Sequence, residues 1–161
     1  MLKFRYNKTF ILLVFILGIN NVYSETKLKE LDLTKMTERG QMMYVETEGR
    51  PVWIVYRTLN AIKDLESRSD IIYSNDPGDL NKVYRSYTKD YFVVLGGCPK
   101  GDELPYYYPD DGFICKSNCA QFDMAGRPKS SCTGKEPMAI PIHYFKNSTT
   151  IVVPTNQDGN T

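Results

Sequence analysis

Four cysteines and one histidine carry the most specific chemistry in this chain: Cys98, Cys115, Cys119, Cys132 and His143. Thiolates can bind a metal, exchange with a disulfide or attack an electrophile, and an imidazole can ligate or move a proton. His143 stands in the apolar stretch Ile140-Pro141-Ile142 and reads as a partly buried strand residue, so no Ser/His/Asp or Cys/His catalytic arrangement can be assembled. The paired C-x2-C spacing of a four-cysteine zinc site is absent, and its absence also speaks against a thiol redox motif. In an oxidising compartment an even count favours disulfides, and four cysteines allow three pairings. Asp102-Glu103 and Asp110-Asp111 read as solvated loop carboxylates rather than calcium ligands. Tyr106-Tyr107-Tyr108 reads as an aromatic cover over a loop-rich core, and Asn147-Ser148-Thr149 matches a glycosylation sequon that matters only in a host able to use it.

The N-terminus indicates the compartment. Lys3, Arg5 and Lys8 precede an apolar run from Phe10 to Ile19, and Val22-Tyr23-Ser24 ends in a small residue, which is the pattern of a signal peptide over residues 1–24. The run is about half of the roughly 20 residues that span a bilayer, so cleavage is expected, with membrane association only if the segment is retained. The expected location is therefore outside the cytoplasm, in a periplasm or on the outer face of the cytoplasmic membrane. Removing the leader takes three cations and no anion from 20 Lys+Arg and 19 Asp+Glu, leaving a net charge of about −2 and no feature that suits nucleic acid. With 161 residues, 42% hydrophobic and 24% charged, the chain is sized for one globular domain.

The elements that must position the cysteines can be read along the chain. Residues 25–39 form a charged lead-in with at most one short strand, and the domain itself is expected over 40–154, with a polar, disordered tail at 155–161. Gln41 to Glu46 and Pro51 to Arg57 read as an antiparallel hairpin around Glu48-Gly49. Thr58 reads as the N-cap of a short helix over 59–67, with Leu59, Ile62 and Leu65 on its apolar face. A turn follows at Asn75-Asp76-Pro77-Gly78. Tyr91 to Leu95, closed by Gly96-Gly97, is a buried strand leading to Cys98. Residues 98–137 read as loops with one short strand, Gly112 to Cys115, and two last strands are expected at Met138–Phe145 and Thr149–Val153 around Lys146-Asn147-Ser148. Trp53, Val55, Phe92, Val94, Ile140, Ile142 and Val152 are the expected core.

Several of these segments, in order, resemble the Rieske iron-sulfur subunit of ubiquinol-cytochrome c reductase, over roughly residues 38–153. Gly40-Gln41, then Gly49-Arg50-Pro51-Val52-Trp53-Ile54 and Arg57-Thr58, are similar to the family's opening G-Q…G-K-P-V-F-I…R-T. Phe122-Asp123-Met124-Ala125-Gly126-Arg127 is similar to its Y-D-x-S-G-R run, and Pro137-Met138-Ala139-Ile140 to its P-L-N-L segment. The resemblance implies an all-β fold: stacked antiparallel sheets, a loop-rich subdomain over residues 96–137 where the family binds its cluster, and one short helix.

The family's two cluster loops read C-T-H-x-G-C and C-P-C-H-G-S. In each, the first Cys and the His bind iron, and the remaining cysteines bridge the loops. Here the first loop is Cys98-Pro99-Lys100-Gly101-Asp102-Glu103 and the second is Cys115-Lys116-Ser117-Asn118-Cys119-Ala120. The resemblance thus makes Cys98 and Cys115 remnants of the ligand set, with Lys100 and Asn118 in the histidine positions and Glu103 and Ser117 in the bridging ones. A Rieske centre needs two thiolates on one iron and two imidazoles on the other. A protonated lysine has no lone pair and an amide is a poor iron donor, so neither a cluster nor another metal is expected. What the resemblance then implies is a cluster-free domain, not itself an enzyme, acting as a structural, binding or accessory component beside respiratory-chain or other cell-envelope proteins. The alternative is a working electron-transfer subunit holding 2Fe-2S with atypical ligands such as Cys98, Cys115, Cys119 and a non-protein donor. From the same correspondence, Cys98 and Cys115 would face each other across the lost iron and pair, leaving Cys119 with Cys132.

Overall fold

The computed structural model describes residues 27–68, 80–130 and 136–155. The expected leader, the turn at Asn75 to Gly78, Cys132 and the tail beyond Thr155 lie outside the described residues. Among those described, ten strands form three antiparallel sheets, with one α-helix.

The middle sheet explains the arrangement. It holds β2 (Met42–Val45), β3 (Val52–Tyr56) and β4 (Tyr91–Leu95) in the order β2-β3-β4. Strand β3 reads Val-Trp-Ile-Val-Tyr with no polar alternation because both of its faces are covered. Val52 and Ile54, opposite Leu95 and Val93, join Leu33, Met36, Val45, Ile151 and Val153 in one core. Trp53 and Val55, opposite Val94 and Phe92, join Phe113, Cys115 and Phe122 in a second core on the other face.

The first outer sheet is β1 (Leu28–Asp32), β10 (Thr150–Pro154) and β9 (Tyr144–Asn147), ordered β1-β10-β9. The lead-in over residues 25–39 thus supplies β1, and a 3-10 turn at Leu33–Lys35 follows, capped by the Thr34 amide donating to Asp32 Oδ1 at 2.9 Å. Leu33 and Met36 from this segment are buried. The strand expected over Met138–Phe145 begins only at Tyr144. Pro137 and Pro141 have no N–H for a ladder, and among the described residues the segment between them makes isolated backbone bonds, Leu95 N–H to Ala139 O and Met138 N–H to Gly126 O. That break undoes the alternation: Ile140 and His143 are buried, whereas Ile142, expected in the core, is 72% exposed. Trp53, Val55, Phe92, Val94, Ile140 and Val152 are all buried.

The second outer sheet carries the cysteine region. Its strands are β5 (Tyr106–Tyr108), β6 (Gly112–Cys115), β7 (Ala120–Phe122) and β8 (Pro128–Ser130), in sequential order. Residues 98–137 therefore contain four strands where the sequence indicates one. Strands of three residues are too short to display a period. Tyr107 packs on Phe113 with ring centroids 5.6 Å apart and donates its hydroxyl to Gly40 O, while Tyr106 and Tyr108 face solvent. The helix α1 (Leu59–Glu66) starts where Thr58 Oγ1 accepts the Ala61 amide at 3.0 Å. Ala61, Ile62 and Leu65 point inward, and Leu59 is exposed.

Candidate functional site

The first loop leaves β4 at Gly96-Gly97. A Cβ on Gly96 would lie 2.4 Å from Trp53 Nε1, so this backbone approaches the indole as only glycine allows. Arg50, from the turn between β2 and β3, then braces the loop, its guanidinium donating to Cys98 O at 3.1 Å and Gly101 O at 2.9 Å. The second loop is the β6–β7 connection, whose ladder ends at Cys115 opposite Ala120.

The two loops meet at three links, a disulfide, a serine–carboxylate pair and an amide–carbonyl bond. Cys98 and Cys115, both fully buried, form a disulfide with S–S 2.03 Å and Cα–Cα 5.9 Å, separated by 17 positions in sequence. Beside it, Glu103 Oε1 accepts from Ser117 twice, from the hydroxyl at 2.5 Å and from the amide at 2.9 Å. Those donors favour the charged carboxylate and hold Glu103 below its ordinary pKa. The same oxygen lies 3.6 Å from Cys98 Sγ. The Asn118 amide nitrogen donates to Lys100 O at 3.3 Å, and its oxygen accepts the Ala120 amide. Lys100 is exposed, and the ammonium of Lys116 sits 3.9 Å from the centre of the Tyr106 ring. Cys119 is exposed, has a positive φ of 50° and is disulfide-bonded. The expected partner, Cys132, lies outside the described residues.

A 2Fe-2S cluster does not fit this donor set. Both sulfurs are spent in an S–S bond, the Asn118 amide is committed to backbone partners, and a lysine ammonium offers no lone pair. The atypical set of Cys98, Cys115 and Cys119 fares no better, because all three are disulfide-bonded. His143 does not join the loops. It packs edge-on to Tyr87 with its Nδ1 2.8 Å from Pro141 O, next to Phe145. Asp110, from the acidic pairs, accepts the Thr58 hydroxyl at 2.6 Å and so ties a loop to the helix start.

Behind the site lies a framework of buried arginines with no counterpart in the sequence reading. Arg57 is fully buried and donates to Met124 O, Tyr84 O, Lys89 O and Ser86 Oγ; burial pulls its pKa down to about 9, with Asp123 opposing, so it stays charged at neutral pH. Arg127 donates to Lys82 O and Val83 O, and Arg85 to Ala125 O and Met138 O. Asp123 accepts the amides of Ala125 and Arg127 and pairs with Arg68 and Arg127 at 3.4 and 3.5 Å. A sequence signal existed: Arg57, Asp123 and Arg127 belong to the segments that carry the resemblance, and the structure makes them supports rather than ligands.

Comparisons with known proteins bear on the family likeness and the fold. The chain is 28% identical over 141 residues to the ubiquinol-cytochrome c reductase iron-sulfur subunit of Allochromatium vinosum, covering 77% of this chain and 68% of that protein. It is 30% identical over 128 residues to the Rieske subunit of the mitochondrial cytochrome b-c1 complex of Schizosaccharomyces pombe, covering 76% of this chain and 53% of that one. The iron-sulfur subunit of Blastochloris viridis is 26% identical over 119 residues, 64% of its length. The chain thus spans about half to two thirds of these relatives. No family model matches it. Among solved structures, a chain of a hyperthermophilic respiratory Complex III superposes with a TM-score of 0.53 at 14% identity, over 85% of this chain and 82% of its own, which is a likeness of fold.

Proposed function

We propose that this chain, a relative of the Rieske iron-sulfur subunits of ubiquinol-cytochrome c reductase, is an exported domain of that type without a cluster, acting as a binding or structural accessory of the respiratory chain. The observation that carries the reading is the direct bond between Cys98 and Cys115, which occupies the two sulfurs a cluster would need. Electron transfer from a quinol also requires an imidazole at the exposed edge of the centre, and Lys100 and Asn118 stand there instead. The disulfide suits an oxidising compartment, and the leader-like residues 1–24 suit export to it. No helix among the described residues is long and apolar enough to cross a membrane.

Affinity isolation of the tagged full chain in mild detergent tests the accessory role. Recovery of subunits of a quinol-oxidising complex is expected. A chain found alone in the exported fraction under the same conditions contradicts that role, and a visible Rieske-type absorption of the purified protein contradicts the cluster-free one.

A further inference from the structure

We infer that reducing the Cys98–Cys115 bond turns the same place into a mononuclear zinc site, with both thiolates and the Glu103 carboxylate as ligands and water in the fourth position. The inference rests on the reading of these loops as cluster-free. Its ground is geometric: the ligand atoms of Cys98, Glu103 and Cys115 all lie within 4.8 Å of one another. Cys98 Sγ is 3.6 Å from Glu103 Oε1. Around a tetrahedral zinc with Zn–S of about 2.3 Å and Zn–O of about 2.0 Å, a sulfur and an oxygen ligand stand roughly 3.5 Å apart, so this pair is already at ligand spacing. The two sulfurs need only separate to roughly 3.7 Å once their bond is broken.

The surroundings complete the site. Ser117 donates its hydroxyl and its amide to Glu103 Oε1, holding the carboxylate in place as an outer-shell residue does for a metal ligand. Two thiolates and one carboxylate leave the zinc complex one negative charge, and Lys100, Lys116 and Arg50 are the cations of the two loops and their brace. A single borderline-soft ion is satisfied by two sulfurs and an oxygen, whereas a two-iron cluster is not.

The redox step balances with a named reductant. A phosphine attacks one sulfur, the S–S bond breaks, and water supplies the oxygen of the phosphine oxide and the two protons taken by the thiols. Zinc then displaces both thiol protons to solvent.

The test uses the full chain purified without reductant, then reduced anaerobically by a phosphine, with cobalt(II) as the spectroscopic probe and zinc as competitor. One cobalt per reduced chain is expected, with thiolate charge-transfer and tetrahedral d–d bands that zinc abolishes, and none in the unreduced protein. The doubly substituted Cys119→Ser, Cys132→Ser protein retains the bands, Cys98→Ser loses them, and Ser117→Ala weakens cobalt binding by about tenfold. Reduced protein that stays folded by circular dichroism yet shows no bands overturns the site, as do bands that survive Cys98→Ser. Iron in the protein as isolated would instead overturn the cluster-free reading, so the two failures are distinct.

Discussion

The Ser117 hydroxyl donates to Glu103 Oε1 at 2.5 Å, a hydrogen bond between the two residues that occupy the bridging-cysteine positions of the Rieske pattern. The link survives in the same place with different chemistry. One step inward the exchange runs the other way: Cys98 and Cys115, iron ligands in the pattern, are covalently joined. The loops stay tied at both of these positions, and it is the inner one that is now a disulfide.

The Glu103 carboxyl should therefore titrate below its ordinary value, chiefly because of the Ser117 hydroxyl and then the Ser117 amide. A depressed carboxyl pKa means that the tie is present above the ordinary carboxylate range and is lost as pH falls through the lowered folded pKa. NMR titration of the Glu103 carboxyl carbon, with and without Ser117→Ala, checks this. Ser117→Ala is expected to move the value back upward; an unchanged value would mean that the serine is not what lowers it.

Removing the disulfide by Cys98→Ser with Cys115→Ser should destabilise the domain by about 3 kcal/mol, from the entropy of closing a ring across 17 positions. Denaturant unfolding of the two proteins measures it. A loss well under about 1 kcal/mol would place the stability of these loops in Arg50 and Glu103 instead.

Much of this architecture was legible because its signals are local. The hairpin Met42–Val45 with Val52–Tyr56, the helix capped by Thr58 and the strand Tyr91–Leu95 each carry a turn, a cap or an apolar run of sufficient length. Of the meander from Tyr106 to Ser130 only Gly112–Cys115 was legible, since the three-residue strands beside it show no period and are defined by pairing alone. Ile142 misled for a related reason: alternation presumes a continuous strand, and Pro141 interrupts it. At the site, the residues that depart from the Rieske pattern could be named from the sequence, but the hydrogen bonds by which Glu103, Ser117, Lys100 and Asn118 reuse those positions are relations across loops that only the fold brings together.

Asp123 is expected to be a stability residue rather than a ligand. Its side chain is fully buried beside the equally buried Arg127, and it receives two backbone amides. Asp123→Ala would leave a buried guanidinium short of its counter-charge and is expected to cost about 3–5 kcal/mol in unfolding free energy. A cost under about 1 kcal/mol would show that the carbonyls around Arg127 suffice without the carboxylate.

Export of the full chain should remove residues 1–24, since the apolar run is short for a span and Val22 and Ser24 suit a cleavage site. Intact mass of the protein from the exported fraction decides. A mass that retains Met1 to Ser24 would restore the segment as an anchor.

The most direct test of the central claim is the count of iron and acid-labile sulfide per chain after expression in a cell that assembles and exports iron-sulfur clusters. With Cys98 bonded to Cys115 and with Lys100 and Asn118 in the histidine positions, the predicted result is no iron, no sulfide and a colourless protein. Two irons and two sulfides per chain with a Rieske-type visible spectrum would contradict it.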